Sequence, residues 1–265
     1  MKCLICGTSM SFYFSKYFGQ YSLENVDYWS CPECGFTASK THFDLTEDEW
    51  EALNVNFHID HNKREDNPYN RHQRYFNQAQ MLYLMLRQGL LLDKPWLDWG
   101  SGEGDVSVQL KEHFGFELEN FDLYIQPKIS SISKSELEKR TDSFNLVLTT
   151  AVFEHIRNRE VLDEIESFVT KPGCFAIHTL VRGEIPNDPE WMYLLPVHCA
   201  FYTNKCMQLL MDSWGYTCSV YNEHAKLWVM FRQNPSEIQK LVRRLNTVMR
   251  WEYLHYKKGF MDYWP

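Results

Sequence analysis

No apolar run among the 265 residues approaches the length of a membrane span. The opening residues, Met1-Lys2-Cys3-Leu4-Ile5-Cys6, lack the apolar core of a secretory signal. Positive charge is in deficit. Against 35 Asp and Glu stand 27 Lys and Arg, giving a formal net charge of −8 and a pI near 5.7, which argues against bulk nucleic-acid binding. The eight cysteines do not form a disulfide framework: four are paired at the N-terminus and the others are scattered. That pattern suits a metal site in a reducing compartment. The expectation is a cytoplasmic protein that neither spans a membrane nor binds nucleic acid in bulk. What is present is a core: 44% of residues are hydrophobic and 15% aromatic, enough for one α/β domain with a small appendage.

The appendage is read from Cys3-x-x-Cys6 and Cys31-x-x-Cys34, each followed by glycine, at Gly7 and Gly35. Two thiolates two residues apart grip a metal from a tight turn, and two such turns complete a tetrahedron around zinc. Phe12, Tyr13, Phe14, Tyr28 and Trp29 read as short strands between the turns, and the whole resembles a zinc ribbon. A closed four-thiolate site leaves no open position, so its expected role is structural. The segment has little Lys or Arg, which gives an RNA-binding role little support. After it, Thr46 with Glu49 forms a capping box for a helix. His58 and His61 read as surface histidines, and residues 63–74 as a polar linker, with the domain boundary at 62/63.

The chain is organised around Trp96-Leu97-Asp98-Trp99-Gly100-Ser101-Gly102-Glu103-Gly104-Asp105. An apolar strand runs into a glycine turn and then a helix, the arrangement that presents backbone N–H groups to a nucleotide-like ligand. A dinucleotide loop would need glycine or alanine at 105. Asp105 stands there instead, and the pattern Asp-x-Gly-x-Gly-x-Gly resembles motif I of the class I S-adenosylmethionine-dependent methyltransferases. Two further motifs extend the resemblance over roughly 96–181. Glu154-His155 follows the apolar strand 144–150, and Lys171-Pro172-Gly173 is expected as a turn before the next strand, 174–181.

The residues supply candidate roles. Gly100, Ser101, Gly102 and Gly104 would cradle the cofactor. Asp98 would fix the loop and contact the methionine amine through water. Asp122, one helix and one strand after Asp98, would hold both ribose hydroxyls, with Glu119 as the alternative. The resemblance implies an acid contacting adenine, for which Glu136, Glu138 and Asp142 are candidates, although the chain has room there for only a short helix and a rudimentary third strand. A helix from Arg74 to Gly89 carries Arg74, Arg71 before it, and Tyr75 as candidates for the methionine carboxylate. His155, oriented by Glu154 or by solvent, would act as a general base. His198 and Tyr202, in a Pro-x-His segment ahead of Phe-Tyr-Thr, are the acceptor-side candidates. A last helix, 236–257, packs on the body or supplies a dimer contact, and the oligomeric state is not legible.

These readings imply a doubly wound, Rossmann-like seven-stranded methyltransferase sheet at 63–265, with a zinc-ribbon domain and linker helix at 1–62. The cofactors implied are S-adenosylmethionine and a structural zinc held by Cys3, Cys6, Cys31 and Cys34. A small-molecule or sugar-like acceptor is expected. A ribbon-guided RNA methyltransferase and an inactive cofactor-binding module stand as alternatives. An NAD-dependent enzyme is disfavoured by Asp105.

Overall fold

The computed structural model describes residues 1–63, 68–125, 127 and 129–263, with the backbone alone for 61–63 and 68–71. The N-terminal aromatic stretches form a hairpin, β1 (Ser11–Gln20) and β2 (Leu23–Ser30). Tyr21 and Ser22 both take positive φ at its tip, as the twist of a two-residue hairpin turn requires. β3 (Thr37–Ser39) pairs with β2 and leads into α1 (Lys40–Asp44). α2 (Glu47–Lys63) starts at the expected capping box: Thr46 N–H donates to Glu49 Oε2 at 2.8 Å, and Glu49 N–H to Thr46 Oγ1 at 3.3 Å. α3 (Pro68–Arg87) occupies part of the segment read as a linker. Polarity at 68–74 does not prevent a helix, because Gln and Arg are good helix formers and proline suits the first helical position.

The second half contains β4 (Trp96–Trp99), α4 (Asp105–Phe114), β5 (Glu119–Phe121), α5 (Lys134–Leu137), β6 (Phe144–Thr150), a 3-10 turn at Phe153–His155, α6 (Arg159–Ser167), β7 (Val169–His178), β8 (Val181–Arg182), β9 (Ala200–Thr203), α7 (Asn204–Ser213), β10 (Cys218–Asn222), β11 (Leu227–Phe231), α8 (Pro235–Met249) and β12 (His255–Lys257). The expected seven-stranded sheet is present, in the order β12-β10-β11-β7-β6-β4-β5. β5, β4, β6 and β7 are parallel, β11 runs against β7, and β12 runs against β10. The rudimentary third strand is a single bridge between Asn120 and Ser131.

Two sequence expectations are corrected by backbone detail. Lys171-Pro172-Gly173 lies inside β7, not before it: Phe144 pairs with Val169 and Leu146 with Cys174, so the extra residues form a bulge, where a proline without N–H is tolerated. The last helix ends at Met249. Arg250 turns left-handed, and Asn246 brackets the returning chain through both backbone groups of Leu254, at 2.9 Å each. That return supplies the seventh strand, β12.

Period-two alternation sorts side chains to the two faces of the sheet. Leu97, Val147, Phe175, Ile177 and Met230 join one core with Leu162 and Ile165 of α6 and Met207 and Leu210 of α7. Trp96, Leu146, Leu148, Ala176 and Val229 join the other with Met81 and Met85 of α3, Leu110 of α4 and Val242 and Leu245 of α8. The sheet is therefore doubly wound, and α8 packs on the body. A second sheet has the order β1-β2-β3-β9-β8. In it Thr37 pairs with Phe201 and Ala38 with Ala200, so the N-terminal strands share hydrogen bonds with residues far beyond 62, and Phe14, Val26 and Phe36 belong to the first core. This coupling brings the N-terminal segment against the site.

Candidate active site

β4 delivers the chain to a loop whose three glycines, Gly100, Gly102 and Gly104, all have positive φ, between 56° and 85°. A Cβ on Gly100 would lie 2.5 Å from Val152 Cγ2, and one on Gly104 2.9 Å from Ile129 Cγ1, whereas a Cβ on Gly102 would meet nothing within 4 Å. Two glycines are thus needed for packing as well as conformation, and the middle one faces open space. The loop is fastened to the end of β5. Gly100 and Ser101 N–H donate to the Phe121 carbonyl at 2.8 and 3.0 Å, and Gly102 N–H donates to Asp122 Oδ2 at 2.8 Å. Asp122 Oδ1 accepts from Tyr124 and Ile125 N–H, both at 2.9 Å. Three of the roughly four acceptor positions of a carboxylate are therefore filled.

Asp98 does not fix the loop, contrary to expectation. It is buried beneath it, and neither carboxylate oxygen has a hydrogen-bond partner among the described residues. Burial, then the nearby Asp122 and Asp105, raises its pKa well above the usual carboxylate range. A buried acid without a donor is costly to the fold. Ser101 Oγ is likewise buried and unpaired. Ser101 lines the adjoining cavity, whereas Asp98 lies behind the loop and does not.

The loop opens on a cavity of about 530 Å³. Gly100, Ser101, Gly102 and Asp122 line it, as do Glu154, His155 and His198. Arg74 and Tyr75 of α3 lie on its wall, the guanidinium 4.9 Å from the Tyr75 ring. α2 contributes Glu47, Trp50, Asn54, Phe57 and His58, a spacing that places them on one helical face. That periodic stripe was the available sequence signal for a wall that the sequence reading missed. His58 is half-buried there, its ring 5.9 Å from that of His155, so the surface reading of His58 is corrected. Arg157 anchors α2 to the 3-10 turn, donating to the carbonyls of His42 (3.0 Å) and Leu45 (2.8 Å) and to Glu47 Oε1 (2.5 Å).

Glu154, His155 and His198 meet: one carboxylate oxygen and one ring nitrogen of each histidine lie within 4.8 Å of one another. The internal wiring differs from expectation. Glu154 does not orient His155. Its Oε1 accepts from Tyr193 Oη at 2.6 Å and its Oε2 from Thr179 Oγ1 at 2.8 Å. Asn54 is the partner of His155, with Oδ1 at 3.2 Å from Nδ1. Asn54 Nδ2 donates to the Trp50 carbonyl at 2.8 Å, which turns the amide oxygen toward the ring and places the imidazole proton on Nδ1. His198 Nδ1 lies 2.8 Å from the Tyr193 carbonyl. Burial, then His198, His58 and His42, hold the His155 pKa well below its usual value.

Other candidates lie elsewhere. Tyr202 is fully buried, donates to the Phe153 carbonyl at 3.1 Å, and is core rather than acceptor pocket. Glu119 is ion-paired with Arg140. Glu136 caps α5 through Ser133, and neither it nor Glu138 or Asp142 lines the cavity. Leu123, Tyr124 and Ile125, directly after Asp122, do line it. The side chains of His61 and Arg71 lie outside the described residues.

At the N-terminus the two Cys-x-x-Cys turns repeat one geometry. Gly7 N–H donates to the Cys3 carbonyl and Gly35 N–H to that of Cys31, both at 2.9 Å. The Sγ separations are 3.6 Å for Cys3–Cys34, 3.5 Å for Cys6–Cys31 and 3.7 Å for Cys6–Cys34. A disulfide needs about 2.05 Å. Four thiolates about 2.3 Å from one zinc stand roughly 3.8 Å apart, so the group is compatible with a zinc ribbon.

The sequence matches a methyltransferase domain family over residues 69–219. No protein of curated function matches. Similar solved structures include the plantazolicin methyltransferase BpumL in complex with a monoazolic desmethylPZN analogue and SAH, at 15% identity and TM-score 0.48, covering 79% of this chain and 95% of that one. A SAM-dependent methyltransferase from Archaeoglobus fulgidus is 14% identical, with TM-score 0.40 and coverage of 68% and 94%. The magnesium protoporphyrin IX methyltransferase of Synechocystis with bound SAH is 12% identical, with TM-score 0.40 and coverage of 60% and 84%.

Proposed function

We propose, from the premise that this chain belongs to the methyltransferase domain family matched over 69–219, that it moves a methyl group from S-adenosylmethionine to an oxygen of a small, hydroxyl-bearing acceptor. The observation that carries this reading is a single cavity lined both by the glycine loop with Asp122 and by a group of two imidazoles and a carboxylate.

S-adenosylmethionine supplies a methyl group on a sulfonium, an electrophile that needs chiefly an aligned nucleophile. The protein's task is to hold and align. Ser101, on the cavity wall, would donate to the methionine portion, Asp98 would act on its amine through water from beneath the loop, and Arg74 would meet its carboxylate. Gly100, Gly102 and Gly104 allow the backbone to come close. Asp122 has one acceptor position to spare, so it would hold one ribose hydroxyl rather than both. Leu123 and Tyr124, large apolar residues 47% and 40% exposed beside it, offer the flat surface that an adenine ring needs, a role no acidic side chain fills here. On the acceptor side Glu154, His155 and His198 act together to bind and activate the hydroxyl. Glu47, Glu103, Asp105 and Asp122 on the walls favour a small neutral acceptor over a phosphate backbone.

The four N-terminal thiolates would hold zinc as a structural ion, closed and separate from the chemistry. Free thiols throughout the described residues support a reducing, cytoplasmic setting. No described helix is long and apolar enough to cross a membrane.

Calorimetric titration of the zinc-loaded protein with S-adenosylhomocysteine, with NADH in parallel, tests the reading. Micromolar binding of the homocysteine compound alone is expected. Absence of that binding would overturn the assignment of the cavity.

A further inference from the structure

We propose that Glu154, His155 and His198 are a second metal site, taking a divalent transition-metal ion on which an acceptor oxygen is held. The four-cysteine group is separate from it. The ligand atoms already lie within 4.8 Å of one another. Neighbouring ligands about 2.1 Å from one ion stand roughly 3–3.5 Å apart, a contraction within reach of side-chain rotation.

The surroundings are those a metal-ligating set requires. His198 presents Nδ1 to the Tyr193 carbonyl at 2.8 Å, and His155 presents Nδ1 to Asn54 Oδ1 at 3.2 Å. The Asn54 amide is itself fixed by its bond to the Trp50 carbonyl. An imidazole whose Nδ1–H is given to an oxygen carries its lone pair on Nε2, and this outer partner is what sets ring orientation and basicity in metal sites. Glu154 accepts one bond on each oxygen, from Tyr193 and Thr179, and each oxygen keeps a second lone pair. Ligating carboxylates are commonly braced in this way.

Two imidazoles and one carboxylate select zinc, iron, manganese or cobalt rather than magnesium or calcium, which prefer oxygen ligands throughout. Three protein ligands leave open positions, and all three residues line the cavity, so an acceptor oxygen could complete the shell. A hydroxyl bound there would give up its proton to solvent water in the cavity more readily, and the histidines would then serve as ligands in place of the proton-accepting role expected of His155. The acceptor part of this inference rests on reading the cavity as the methyl-transfer site. The metal part does not.

The test uses the full chain stripped of metal and titrated with Co²⁺. Two equivalents are expected, one with intense thiolate charge-transfer absorption and one with weak visible bands alone. Cys31→Ser/Cys34→Ser should abolish the thiolate charge-transfer absorption, and His155→Ala/His198→Ala the weak visible bands only, with affinity for S-adenosylhomocysteine retained by the histidine variant as the sign of a folded protein. Asn54→Ala, a milder change, should weaken the second equivalent about 10- to 100-fold. A single equivalent overall, or a second one that survives His155→Ala/His198→Ala, overturns the site. Binding of S-adenosylhomocysteine without a second cobalt refutes this inference and leaves the methyl-transfer reading standing. A second cobalt without that binding does the reverse.

Discussion

Replacing Asp98 with asparagine should make the ligand-free protein more stable and its hold on the methyl donor weaker. The side chain is 1% exposed and both oxygens are unpaired. An unsatisfied buried group costs about 1–3 kcal/mol, more when charged. Asparagine keeps the shape and removes the charge, so a gain of about 1–2 kcal/mol is expected near pH 8, or roughly 2–8 °C in melting temperature for a chain of this size. The gain should depend on pH. Unfolded aspartate ionises near about 3.9, whereas burial raises the folded value well above that. Between the two, the native state binds a proton that the unfolded state has released. Wild-type stability is therefore lost as pH rises from the unfolded toward the folded value, by at most about 1.4 kcal/mol per pH unit, and the variant escapes this loss. The difference between the two proteins should be small at pH 5 and grow toward pH 8. Removing the acid behind the proposed water-mediated contact to the amine should cut affinity for S-adenosylhomocysteine roughly tenfold. Chemical denaturation across this pH range, with calorimetry on the same samples, measures both. A variant that is less stable at every pH and binds the ligand normally would refute the reasoning.

Gly100→Ala should lose cofactor affinity and about 1–3 kcal/mol of stability, because positive φ and a 2.5 Å contact with Val152 act together; a thermal melt and a titration check it. His42 is buried and His178 half-buried on the cavity wall, and both have pKa values lowered to about 4, chiefly by desolvation. The unfolded chain takes up their protons first, so stability should be full above about pH 6.5 and fall by up to roughly 2.7 kcal/mol per pH unit toward pH 4; acid titration of His42→Gln/His178→Gln should show a shallower fall. Chelation of the ribbon metal should loosen the segment carrying His198 as well as the N-terminus, since Thr203 Oγ1 donates to the Cys34 carbonyl at 2.6 Å and β3 pairs with β9; hydrogen exchange confined to residues 1–39 would contradict this. Glu166→Ala should cost about 1–3 kcal/mol, because it takes the carboxylate partner from half-enclosed Arg232, which keeps the carbonyls of Trp214 and Thr170 and the face of Tyr216; urea denaturation gives the value.

Local chemistry was legible from the residues alone. The glycine loop needs its backbone freedom wherever it sits, Thr46 and Glu49 cap a helix by spacing, and paired Cys-x-x-Cys turns announce a tetrahedral thiolate site. Strand β6 and the Glu154-His155 turn after it could be placed because an apolar run followed by polar residues is a one-dimensional pattern. Such signals are carried by neighbours in sequence, and they determined the α/β class, the glycine loop after β4 and the four-cysteine group at the N-terminus.

What the pattern could not carry was any contact closed across the chain. The partner of His155 is Asn54, 101 positions away, and nothing near either residue marks the pair. Tyr193 and Thr179 claim the oxygens of Glu154, and Phe153 claims the hydroxyl of Tyr202, so one expected orienter and one expected pocket residue were reassigned by packing. Asp98 reads in sequence as a loop fastener, and only burial shows it to be unpaired. The tertiary structure alone set α2 as a wall of the cavity and joined the ribbon strands to β9. Hydrogen bonds and ion pairs are satisfied by whichever group lies within about 3 Å, and proximity in space is decided by the fold as a whole.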